Sequence, residues 1–329
     1  MSKLFQRAAV AAVAFAGIAG AAVAGTVKIA GSSTVAPITE AVAEEFQKEN
    51  KGIEVSMAVT GTGGGMKQFV KGEIDICNAS RPIKTSEIEQ AKAAGIDFVE
   101  IPVAFDALSV VVNSSNDFLR QITVPELKKI WEKDAQGKVT TWNQVNPAWP
   151  NQPIKLYGPG MDSGTFEYFT EAVNGKAKES RGDFTASEDD NVLVQGVSGD
   201  KFALGYFGYA YYIENKDKLR AVPIVNKAGQ PIAPSIDAVK DGTYNPLSRP
   251  LFVYVNAASM KKPEVQKFIA FYLETADELA KQAGYVPLPV DAYGKLADRV
   301  TAGKTGTVFG GKEQVGITIE ELLTKELTN

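Results

Sequence analysis

Residues 27–48 run VKIAGSSTVAPITEAVAEEFQK. Val27–Ala30 reads as a short strand, Gly31-Ser32-Ser33-Thr34 as a turn of glycine and hydroxyls, and Pro37–Lys48 as an amphipathic helix with Ile38, Val42 and Phe46 at spacing four. The same grammar recurs downstream. Ile53–Val59 alternates as a strand, and a helix is expected from about Met66 to Lys71. Strands at Ile74–Cys77, Phe98–Val103 and Leu108–Val112 surround a helix near Glu87–Ala94. Beyond Asn113 the pattern restarts with a helix at Pro125–Glu132 that Thr123 is placed to cap. Strands follow at Ile154–Tyr157, Ala203–Phe207, Ala221–Ile224 and Leu251–Val255, with helices at Phe166–Val173, Asn191–Val197 and Val265–Lys281. Such alternation predicts α/β layers, and 329 residues suffice for two lobes. The expected division is 25–106 plus 257–329 for the first lobe and 107–256 for the second, with crossings near Phe105–Leu108 and Val255–Ala257. A cleft on a two-strand hinge is a common home for a small ligand.

Composition removes many chemistries. The chain has no histidine and one cysteine, Cys77, which leaves no internal disulfide, no Cys/His zinc site, no Ser-His-Asp triad and no Cys-His pair. Neither a metal nor a cofactor is called for. Residues 1–24 read as a secretory signal: Lys3 and Arg7, an apolar run from Ala8 to Val23, then Ala22-Val23-Ala24. That run is short for a membrane span, and no cysteine stands nearby to carry a lipid. The mature chain is therefore expected free in the periplasm or outside the cell. It keeps 33 Lys+Arg against 39 Asp+Glu, a net charge of −6, a poor surface for nucleic acid or anionic lipid.

Four loops combine glycine with hydroxyl residues where a strand gives way to a helix: Gly31–Thr34, Thr60–Gly65, Asn78–Arg81 and Asp162–Thr165. Unpaired backbone N–H groups and the positive end of the helix dipole point out of such turns, so each is an anion socket. A micromolar ligand needs about 8 kcal/mol. A hydrogen bond to a charged group nets roughly 1.5–3 kcal/mol, so six to eight converging donors suffice. Arg81 is the one arginine in these loops, and its planar fork suits a tetrahedral oxyanion. The glycine-rich loop is no NTP phosphate loop, because Met66 and Gln68 flank Lys67, and Met66 also breaks a dinucleotide fingerprint.

Six segments together carry a resemblance: Ala30–Pro37, Gly61–Gln68, Asn78–Lys84, Tyr157–Phe166, Pro246–Leu251 and Gly284–Pro289. In this order they resemble the periplasmic phosphate-binding proteins that feed PstS-type ABC transporters. The resemblance spans nearly the whole mature chain. It implies a Venus-flytrap fold of two α/β lobes (type II-like) that holds inorganic phosphate between them, and permease subunits in the inner membrane as the partner. By position, Ser33 and Thr34 with neighbouring Ser32 match the first phosphate loop, Thr62 and Gly63 the second, and Ser163, Gly164 and Thr165 the third. Ser80 and Arg81 stand where the family presents an aspartate or a Ser-Arg pair. Some members carry an arginine where this chain has Pro159, so Arg81 is expected to supply the cation. A monomer that does no chemistry is expected.

Selectivity needs a carboxylate. Phosphate can donate a proton to it, whereas sulfate would face it acceptor to acceptor. Asp106 and Asp162 are the candidates. Ser248 and Arg249 are read first as hinge packing, and Tyr206, Tyr209, Tyr211 and Tyr212 as core and lobe-surface packing. The rival readings are a receptor for sulfate or molybdate, a phosphoesterase using Ser163 or Thr62, and a surface protein in adhesion or sensing.

Overall fold

The computed structural model describes residues 24–312 and 314–328; the signal at 1–24 lies, but for its last residue, outside them. Among the described residues thirteen strands run in chain order: β1 (Gly25–Gly31), β2 (Ile53–Val59), β3 (Ile76–Ala79), β4 (Phe98–Ala107), β5 (Ser109–Asn113), β6 (Ile122–Thr123), β7 (Lys155–Pro159), β8 (Thr185–Ser187), β9 (Ala203–Phe207), β10 (Leu219–Ala221), β11 (Ile224–Val225), β12 (Pro231–Ile232) and β13 (Ser248–Asn256). They build two five-stranded sheets, β2-β1-β3-β13-β4 and β10-β5-β9-β7-β8, and a small third, β12-β11-β6. Each large sheet centres one lobe, as the alternating pattern predicts.

In the first lobe β1 runs parallel to β2 and β3. The helix Ala36–Glu49 buries Ile38, Val42 and Phe46, the face read from the sequence. Phe46 packs edge-on against Phe268 of the helix Pro263–Gln282, with ring centroids 5.3 Å apart, and so ties that long helix to this lobe. In the second lobe Tyr206 stacks on Phe169 at 3.8 Å and meets Trp131 at 4.9 Å, a core role of the kind expected for it. Thr123 caps the helix Val124–Trp131 in a reciprocal box with Glu126.

One assignment is corrected. Leu251–Val255 was expected in the second lobe, but β13 lies in the first sheet, antiparallel to both β3 and β4. Its nine residues are all buried, as a central strand requires, and an apolar run does not say which sheet it joins. The return crossing therefore falls before Ser248 rather than at Val255–Ala257. There Ser248 pairs with Ala107, and the Leu108 amide donates to the Leu247 carbonyl at 2.8 Å. The two connecting segments run side by side where β4 hands over to β5.

Candidate functional site

The four hydroxyl-rich turns sit at the C-terminal ends of β1, β2, β3 and β7, each ahead of a helix. Thr60–Gly65 is tighter than expected: the helix begins at Gly61, so the glycines lie within about its first turn and a half. Hydrogen bonds knit the turns together. The Ser32 amide donates to the Asn78 carbonyl at 3.0 Å and the Thr60 amide to the Gly31 carbonyl at 3.0 Å. Thr62 Oγ1 accepts from the Ser80 amide at 3.1 Å and lies 3.2 Å from Ser80 Oγ. The second lobe closes the set, with the Gly63 amide donating to the Asp162 carbonyl at 2.7 Å and Thr34 Oγ1 lying 3.0 Å from Thr165 Oγ1.

Gly31 is glycine for two reasons: its φ is +137°, and a Cβ there would lie 2.1 Å from the Asn78 carbonyl oxygen. Gly164 marks the centre, because a Cβ on it would stand 2.5 Å from Ser80 Oγ and 2.6 Å from Thr62 Oγ1. Ser32 and Ser163 have a quieter task. Their hydroxyls accept from the amides of Thr34 and Thr165, each at 3.1 Å, and so shape the turns. The hydroxyls aimed inward are those of Thr34, Thr62, Ser80 and Thr165.

The cation among these hydroxyls is Arg249. Its guanidinium is fully enclosed and donates to Asp106 Oδ2 at 3.0 Å, Thr165 Oγ1 at 2.8 Å, Thr34 Oγ1 at 3.3 Å and the Ser80 carbonyl at 3.1 Å. Tyr168 stacks near it, 5.7 Å from guanidinium to ring centre. Asp106 is equally buried, and its other oxygen accepts the Tyr209 amide at 3.1 Å. Arg249 and Asp106 face each other across the pair β4–β13. One buried ion pair with four turns around it forms a dry polar centre between the lobes.

This geometry can be set beside known proteins. The PBP superfamily domain matches residues 16–276. Protein SphX of Synechococcus elongatus is 55% identical over 91% of this chain and 88% of its own length. The phosphate-binding protein PstS of Staphylococcus saprophyticus is 42% identical over 82% of each. The chain belongs to this SphX and PstS family. A protein from Clostridium perfringens crystallised with bound phosphate superposes with a TM-score of 0.68, at 25% identity over 80% of this chain and all of that one.

Within this family fold, two expected site residues stand apart from the centre. Arg81 is buried, but its guanidinium is bidentate to Glu87, at 2.7 and 2.8 Å, and its Nε lies 2.7 Å from Glu167 of the opposite lobe. Arg81, expected as the central cation, is here engaged by Glu87 and Glu167, while the guanidinium lying among the inward hydroxyls is that of Arg249. Burial would raise the Glu167 pKa, but Arg81, Lys84 and Lys178 around it hold it below the ordinary carboxylate value. Asp162 lies at the rim with its carboxylate on Lys67, at 2.9 and 3.0 Å. Asp162 contributes its backbone carbonyl inward and its charge outward.

Lys67 and Asp162 are exposed by 67% and 41%, and exposed pairs contribute about 0–1 kcal/mol. Lys67→Ala is therefore expected to weaken phosphate binding less than about fivefold, as a calorimetric titration would read. A larger loss would make this bridge a main closure contact.

Arg249, Glu167 and Tyr211 are the contributors that sequence reading undervalued. Tyr211 packs partly buried against the second lobe's core, as expected, and in addition donates its hydroxyl across the lobes to the Ser33 carbonyl at 3.2 Å. A signal for Arg249 did exist. An arginine at the head of an otherwise apolar strand has to be buried with a partner.

Proposed function

We propose that this chain is a secreted receptor that binds inorganic phosphate between its lobes and presents it to the permease subunits of an ABC transporter in the inner membrane. The observation that carries the reading is the meeting of four helix-opening turns from both lobes around the buried Arg249–Asp106 pair. As a solute-binding protein of this family it carries out no reaction. The anion takes the place of the hydroxyl contacts Thr34–Thr165 and Thr62–Ser80, drawing each hydroxyl to an oxygen. The first-turn amides at Gly164 add dipole stabilisation. Arg249 supplies the charge-assisted bonds, and closure follows because donors from both lobes are satisfied only together. The leader at 1–24 is removed on export, and the mature chain works in the periplasm.

Asp106 is the discriminating carboxylate in this reading, in preference to Asp162, whose charge faces Lys67 at the rim. It accepts the phosphate proton and repels sulfate, which has none to give. An unmatched buried acceptor costs about 1–3 kcal/mol and more when charged, so phosphate is expected to bind roughly 10–100-fold more tightly than sulfate. Asp106→Asn replaces an acceptor with a potential donor and narrows that ratio toward one. Parallel calorimetric titrations with the two anions test this, and equal affinities in the unaltered protein would remove the carboxylate from the account.

A further inference from the structure

Asp190 opens the helix Asp190–Ser198 and is 1% exposed, and its Oδ2 has no hydrogen-bond partner among the described residues. Its carboxyl accepts from the Gly208 amide, and the very next amide, that of Tyr209, donates to Asp106 Oδ1. One turn thus holds two buried carboxyls by consecutive N–H groups. That turn abuts the anion centre: a Cβ on Gly208 would stand 3.2 Å from Thr34 Cγ2 and 3.8 Å from both oxygens of Asp106. Arg249 favours the ionised form of Asp190 through space and, among the described residues, is ion-paired with Asp106.

We infer that Asp190 takes up a proton from solvent when phosphate binds, so that the anion settles beside one ionised carboxylate and one neutral carboxyl. This rests on phosphate being the ligand of the cleft. The step forms one O–H bond on the carboxyl and breaks one in water or buffer. Burial pushes the Asp190 carboxyl up to about 7; Arg249 on β13 opposes that rise, while Asp106 on β4 and the adjacent Asp189 add to it. Tyr211 and Tyr285 are the other titratable groups that face it, and burial first and the Asp190 charge among other causes hold both hydroxyls protonated. A dianion arriving beside Arg249 uses up the charge that favours ionised Asp190, and therefore raises its pKa further. The sign follows from linkage. The protonated site binds better, so affinity falls as pH rises above about 7, by up to about tenfold per unit, until the pKa of the complex is passed.

The test is calorimetric titration with phosphate in buffers of different ionisation enthalpy, at several values up to about pH 8.5, on the mature protein and on Asp190→Asn. The unaltered protein is expected to take up a sizeable fraction of a proton more per phosphate than the variant. The ratio of its affinity to the variant's should fall with pH, a ratio that cancels the ionisation of phosphate itself. Equal proton uptake and parallel affinity curves would overturn the inference. Should the variant fail to fold, infrared difference spectra of the unaltered protein decide: the carbonyl stretch of a protonated carboxyl must grow on phosphate addition, and its absence is equally fatal. Failure of the underlying reading looks different, since then neither protein would take up phosphate.

Discussion

Replacing Arg249 with alanine is expected to weaken phosphate binding by about 2–5 kcal/mol, roughly thirtyfold to several thousandfold. The guanidinium touches both lobes' hydroxyls, at 2.8 Å for Thr165 and 3.3 Å for Thr34, and its own 0% exposure means that no water compensates. Its loss also leaves Asp106 as an unpaired buried charge facing an incoming anion. Arg249→Lys separates charge from shape. An ammonium retains the charge but cannot reproduce a fork that meets Asp106, Ser80, Thr34 and Thr165 at once, so an intermediate loss is expected. Calorimetry on both variants measures this, with thermal melts to confirm folding. An affinity unchanged in Arg249→Ala would take the cation out of the site.

Gly164→Ala carries the second large effect, and it dissociates binding from stability. The new methyl would lie 2.5 Å from Ser80 Oγ and 2.6 Å from Thr62 Oγ1, both on the opposite lobe. Either the hydroxyls rotate away or the lobes stay apart, and overpacking of this kind costs about 1–3 kcal/mol. Phosphate affinity should therefore drop by about fivefold to 150-fold. Gly164 is the first residue of the helix Gly164–Asn174, where alanine is at least as well tolerated as glycine, by less than the about 1 kcal/mol of a helix interior. The melting temperature without ligand should hold or rise while the affinity falls. A variant that melts early would indicate that the methyl disturbs the fold itself.

The local elements were legible because periodicity reports burial. Ile38, Val42 and Phe46 repeat at spacing four and are the buried face of their helix, and the four turns announce themselves by glycine and hydroxyl content at strand ends. That they meet depends on the parallel order of β1, β2 and β3 and on closure of the second lobe, neither of which a single sequence encodes locally. The misplacement of Leu251–Val255 has the same origin, since a fully apolar strand carries no label for its sheet. The exchange of Arg81 for Arg249 was harder still. Arg81 is adjacent to the loops in sequence, while Arg249 reaches them from 169 positions beyond Ser80, carried there by the pairing of β13 with β3 and β4. Glu167 engages Arg81 from the other lobe, and nothing in the run Gly164–Asn174 marks that carboxylate as facing across.

A crystal structure of the mature protein grown with phosphate is the most direct test. One tetrahedral anion is expected, its oxygens within hydrogen-bond distance of Thr34, Thr62, Ser80 and Thr165, with Arg249 on one edge and Asp106 against the protonated oxygen. An anion bound at the rim near Lys67, or one held by Arg81 with Arg249 still turned to its protein partners, would contradict it.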